Sequence, residues 1–181
     1  MPEMNVWILL ALPGVVIHEL GHYLFCRLVG TNVQEVVFFQ RADASGYVVH
    51  SVPKMLRQHA VIVCGPLILN SILAFLLFRA VASGADSAFV DLQNGDFLST
   101  GQLALATFLG ISIALQAIPS PADARSLWNV THDRLQHGHL LALLAIPFAA
   151  ALVGVNHLRR YWIDWLYLVG LAILALRFPS G

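Results

Sequence analysis

The stretch VVIHELGHYL, residues 15–24, sets two histidines and a glutamate into a run that is otherwise aliphatic and aromatic. His18 and His22 are four residues apart. On a helix that spacing puts both imidazoles on one face, about a turn apart, where they can share one zinc ion. Glu19 stands beside them, within reach of a water at that ion. The chemistry open to such a trio is metal-assisted hydrolysis, with the carboxylate as general base.

The apolar surroundings sharpen this reading. An ionisable group near the centre of a bilayer costs about 2.5–3.5 kcal/mol on insertion scales, and three in one helical turn need a compensating partner. A zinc ion held by neutral imidazoles is one such partner. The competing arrangement has His18 and His22 hydrogen-bonded to neighbouring helices and Glu19 protonated. Catalytic zinc usually takes three protein ligands and a water, so a third ligand is expected, and Asp123 is the foremost candidate. It follows Pro119 and Pro121 in QAIPSPADARSLW, and prolines break the apolar helix before it. Broken backbone at membrane depth persists only where it is buried in protein or lines a wet cavity. The alternative role for Asp123 is an N-cap for a helix beginning near Ala124. His132, His137 and His139 cluster nearby in what reads as a polar loop, either as solvated side chains or as further metal contacts.

The elements that must carry these groups are apolar helices. Of the 181 residues, 58% are hydrophobic and 11% charged, and the mean hydropathy is +0.74. A water-facing domain needs far more charge, so an all-α polytopic protein of the lipid bilayer is expected. The 10 basic residues balance the 10 acidic ones, which excludes the basic excess of a nucleic-acid binder. Cys26 and Cys64 lie in apolar runs and read as buried fillers rather than a disulfide framework. The leading MPEMN has no positive charge, so the first apolar run is expected to be a retained helix and not a cleaved signal. Five apolar segments, about 6–29, 56–82, 101–118, 140–155 and 161–178, approach the roughly 17–25 residues a span needs. The fourth is marginal and contains Pro147. Between the first two, NVQEVVFFQ and YVVHSV flank RADASG, the pattern of a β-hairpin. Residues 83–100, with Asp86, Asp91 and Asp96, read as a loop. For five spans, Arg27, Arg41, Lys54, Arg57, Arg125, Arg134 and Arg177 share one side, against Arg79, Arg159 and Arg160. The positive-inside rule then puts the N-terminus outside, the C-terminus inside and the HELGH end of the first helix toward the cytoplasm.

Taken together, three ordered motifs resemble those of the site-2 proteases, the intramembrane zinc metalloproteases of the HExxH type. HELGH matches the family's HExxH. CGPLILN, residues 64–70, resembles its Gly-Pro-x-x-Asn motif, and IPSPADA, residues 118–124, resembles its proline-rich segment ending in Asp-Gly. The hairpin sits where that family has membrane-associated β structure. The second and third motifs diverge: Asn70 stands one residue late, and Ala124 follows the aspartate in place of glycine. The resemblance covers about 6–129, leaving extra helices at about 140–178 within a single membrane-embedded peptidase domain, 1–181, with no PDZ or other soluble domain expected. It implies one Zn2+ per chain on His18, His22 and Asp123, with Glu19 as general base toward a zinc-activated water. It places Asn70 at the substrate backbone or the developing oxyanion, or else as an interhelical hydrogen bond. The expected partner is a transmembrane protein substrate, locally unwound and paired with the edge of strand 33–40 or 47–52; a hairpin that merely plugs the cavity is the other reading.

Two other functions fit the same residues less closely. One is a catalytically silent membrane protein of this fold that binds a partner. The other is an ion or proton carrier using the His, Glu and Asp groups as a relay, although clustering at HExxH spacing is not the spread-out ladder a relay needs.

Overall fold

The computed structural model describes residues 6–40, 45–94 and 97–178. Among the described residues the regular structure is helical apart from one hairpin, in the order α1 (Val6–Leu28), β1 (Val33–Gln40), β2 (Ser45–His50), α2 (Leu56–Gln93), α3 (Leu98–Leu115), α4 (Pro121–Gln136), α5 (Ile146–Leu158) and α6 (Ile163–Arg177). One 3-10 helix, Leu140–Ala145, leads into α5, and another, Arg159–Tyr161, follows it. This is the expected all-α membrane architecture with a hairpin between the first two helices.

Each boundary has a local cause. Helix α1 ends because Gly30 takes the left-handed region (φ +72°), which lets the Thr31 N–H donate to Cys26 O at 2.9 Å and closes the helix end. The chain thereby turns back as the hairpin. Its strands are antiparallel, with Val36 opposite Val48 and Val37 opposite Tyr47, and irregularities lie on both sides of that stretch. The turn residues 41–44 lie outside the described residues. Helix α3 stops short of Pro119, since a residue before proline is steered away from helical backbone. Helix α4 then starts on a full capping box: the Asp123 N–H donates to Ser120 Oγ, and the Ser120 N–H donates to the Asp123 carboxylate. Pro121 sits in the first turn, where its missing N–H costs nothing.

Two cores hold the bundle. In the first, Ala74 and Phe78 of α2 meet Ile113 and Ala114 of α3 and Leu168 and Ala175 of α6. In the second, Val63 of α2 meets Ala124 and Leu127 of α4 and Ala149 and Leu152 of α5. The outer faces are apolar too: Leu76 is 56% exposed, Leu105 58% and Leu166 64%. Lipid, not water, suits such a surface.

Among the described residues, four stretches are long and apolar enough to cross a membrane: Ile8–Leu28, Leu56–Ala85, Leu98–Leu115 and Leu140–Tyr161. The segment expected at 161–178 forms α6, whose 15 residues rise about 22 Å at helical pitch, short of a ~30 Å hydrocarbon core. The expected loop at 83–100 is instead mostly the continuation of α2 to Gln93, and His132 lies on α4 rather than in a loop.

The last third of the chain is arranged in an unexpected way. Asn156, near the end of α5, donates to Pro119 O at 3.1 Å. Helix α5 therefore runs antiparallel to α4, back to the level where α4 began. Helix α6 then follows α2 in the same direction, since Tyr167 meets Ser71 and Arg79 donates to Ala175 O. The end of α6 lies at the opposite end of the bundle from His18, whereas a five-span reading put the C-terminus and the HELGH end on one side. The reason is that α4 leads away from the level of Pro119 and α5 leads back to it, a direction that hydropathy does not carry.

Candidate metal centre

Helix α1 presents His18, Glu19 and His22, all buried at 6–7% exposure. The His18 Nδ1 lies 2.7 Å from Gln116 O, at the unravelled end of α3. The His22 Nδ1 lies 3.1 Å from Ile62 O of α2. A carbonyl can only accept, so each Nδ1 carries the hydrogen and each Nε2 keeps its lone pair. Both rings are thus oriented by backbone, as metal-binding imidazoles commonly are.

Both Nε2 atoms face the same carboxylate. His18 Nε2 is 3.5 Å from Asp123 Oδ2, and His22 Nε2 is 3.2 Å from Asp123 Oδ1. One ligand atom from each residue lies within 4.8 Å of the others, and among the described residues this is the one such group. Two imidazole lone pairs and a carboxylate turned on one another repel unless a cation or a proton lies between them. The donor set, two nitrogens and one oxygen, is one that zinc accepts while keeping a position open. The residues therefore fit the ion.

Asp123 faces the histidines, but it is not the N-cap of a helix beginning near Ala124: the helix begins at Pro121 on Ser120 as N-cap, and Asp123 is its third residue, with Oδ2 accepting from the Ser120 N–H at 2.7 Å. Asn70 is fully buried. Its Nδ2 points at Ile113 O (3.1 Å), Gln116 O (3.2 Å) and Gly14 O (3.4 Å), so it ties α1, α2 and α3 together and shares the Gln116 carbonyl with His18. His132, His137 and His139 stay apart; His137, for one, is paired with Asp133 at 3.5 Å on the surface. Cys26 and Cys64 are free thiols.

Several residues were not singled out from sequence. At Gly46 of β2 a Cβ would fall 2.4 Å from Glu19 Cγ, so the hairpin backbone lies directly on the carboxylate-bearing side chain. Glu19 and Gly46 both line a cavity of about 400 Å³ on the His18 side and another of about 230 Å³ on the His22 side. Gly21, inside HELGH, meets the backbone of Gly65 and Pro66, which is where α1 and α2 cross. His59 lines the smaller cavity. The available signal for it was its place in the second apolar run, since ionisable groups in spans deserve a functional reading by default.

A family model described as Peptidase M50B-like matches residues 2–121, and the chain belongs to that family. The match ends just before Asp123. No curated protein and no solved structure matches the chain.

Proposed function

With membership of a metallopeptidase family of membranes as the premise, we propose that the chain is an intramembrane zinc endopeptidase, hydrolysing a peptide bond in or near a transmembrane segment of a protein substrate. The observation that carries this is the convergence of His18, His22 and Asp123 within 4.8 Å, with Glu19 on the same face. These three residues would hold the ion. Zinc, when bound, polarises a scissile carbonyl and lowers the pKa of a water toward neutrality. Glu19, on the same face, would serve as the general base and would hand a proton on to the leaving amine. Burial of Glu19 under the hairpin keeps bulk water away from it, which strengthens its interactions with substrate. Asn70 acts in this reading through Gln116 O, holding the carbonyl that orients His18, and not by touching the substrate.

The substrate must unwind before its carbonyls become available. Both strands of the two-stranded sheet have a free edge, and β2, whose Gly46 lies against Glu19, is the better placed to accept an extended segment by strand addition.

The active site faces the cytoplasm with the N-terminus outside. Arg27, Lys54, Arg57, Arg125 and Arg134 lie at the site end of the bundle, and the return of α5 brings Arg159 and Arg160 there as well, Arg159 lining the larger cavity. Arg79 and Arg177 lie at the other end. The charge asymmetry supports this orientation more strongly than a strict alternation of spans would.

The test is paired: zinc per purified chain, and cleavage of a candidate transmembrane substrate by wild type and by Glu19→Gln. Zinc near one per chain, with cleavage lost in the variant, is expected. Absent zinc or unchanged cleavage removes the proposal.

A further inference from the structure

The smaller cavity, about 230 Å³, brings together Glu19, His22, Asp123, His50, His59 and Ser126. His59 is only 4% exposed. Its Nε2 lies 3.1 Å from Ser126 Oγ on α4, and its Nδ1 has no hydrogen-bond partner among the described residues. The neighbouring His50 ring, 6.1 Å away between centroids, does not supply one, because its own Nδ1 is turned to Ser51 O at 2.9 Å. A buried polar atom left unpaired costs about 1–3 kcal/mol, so whatever fills this cavity must answer the His59 Nδ1.

The Ser126 hydroxyl can donate to Nε2 or accept from it. When its O–H donates, the ring hydrogen sits on Nδ1, which becomes a donor. Peptide hydrolysis needs such a donor where negative charge develops on the scissile carbonyl oxygen. Asn70 is engaged elsewhere, its amide nitrogen set against three backbone carbonyls.

We propose that His59, through its Nδ1–H, is a further catalytic residue that donates a hydrogen bond to the scissile carbonyl oxygen of a peptide lying in this cavity, with Ser126 holding the ring in the required tautomer. This rests on the peptidase reading above.

The isosteric amides separate the two ring nitrogens. In His59→Asn the amide nitrogen stands near Nδ1; in His59→Gln it stands near Nε2. The full-length, zinc-loaded chain in detergent is assayed with a pool of fluorescence-quenched apolar peptides, and with a phosphinic peptide whose tetrahedral anion stands for the hydrated peptide bond. His59→Gln and His59→Phe are expected to lower kcat about 100-fold with KM little changed, to weaken the phosphinic peptide by a similar factor, and to leave zinc per chain and melting temperature as in wild type. His59→Asn is expected to keep most of kcat. The proposal is overturned if His59→Phe retains kcat and phosphinic affinity. It is equally overturned if Gln rescues while Asn does not, which makes His59 a brace to Ser126, or if the losses track loss of zinc. Glu19→Gln distinguishes the levels: a dead Glu19→Gln beside an active His59→Phe sinks this inference alone, and a fully active Glu19→Gln sinks the peptidase reading with it. Should wild type cut none of the pool, phosphinic-peptide binding decides between the same outcomes.

Discussion

Gly21 is, with Leu20, one of the two residues of HELGH that do no chemistry, and its replacement by alanine is the most informative perturbation of the helix crossing. A Cβ there would lie 2.8 Å from Pro66 Cα and 2.9 Å from Pro66 N. These are backbone atoms of α2, which cannot rotate aside. Contacts become ordinary at 3.4 Å, so the helices must part by about 0.6 Å (3.4 − 2.8). The next residue is His22, whose Nδ1 is 3.1 Å from Ile62 O on that same helix; the same displacement stretches this to about 3.7 Å, beyond a hydrogen bond. The overpacking costs about 1–3 kcal/mol, the lost orienting bond lowers zinc affinity about 10–100-fold, and misplacement on this scale slows the reaction by as much as about 100-fold. Zinc retained after dialysis against graded chelator, melting temperature and cleavage rate are compared with those of Gly154→Ala, where a Cβ meets open space. A Gly21→Ala chain that keeps zinc and cleaves like the control would refute the argument that backbone contact sets the metal centre.

Other outcomes follow from the same geometry. Gly46→Ala would push Glu19 aside, since the new atom falls 2.4 Å from Glu19 Cγ; cleavage should be lost while zinc per chain, measured by elemental analysis, is kept. Ser120→Ala removes the cap acceptor for the Asp123 N–H and should cost about 1 kcal/mol in chemical denaturation. Asn70→Ala removes the amide that bridges the Gln116, Ile113 and Gly14 carbonyls and should destabilise by about 1–3 kcal/mol, with weaker zinc binding because the Gln116 carbonyl also orients His18. Chelation of wild type should lower the melting temperature, as loss of a ligand bound only to the folded state must, and added zinc should restore it.

How much of this was legible beforehand depends on range. The HELGH helix, the hairpin and the proline break before Asp123 are written in local pattern: helical spacing, β-branched runs around small turn residues, and prolines. The long-range partners are not. Nothing in local sequence says that Ile62 O and Gln116 O orient the two imidazoles, or that Gly46 lies on Glu19, because these contacts arise only when α1, α2, α3 and the hairpin pack. The length of α2 was underestimated because polar residues beyond Ala82 broke the apolar run without breaking the helix. The segment at 140–161 is long and apolar enough to cross, as expected, but its direction was not legible. Hydropathy reports affinity for lipid but carries no direction, whereas the Asn156–Pro119 bond fixes direction.

His22 and Asp123 are separated by more than half the chain, and the carboxylate comes last. During synthesis the HELGH helix enters the bilayer long before the ribosome has reached the proline break. On the proposed reading, a growing polypeptide would therefore lack its last ion-holding residue and would be unable to attack its neighbours in the crowded insertion machinery until the closing segment swings into place. Assembly itself would be the safety catch.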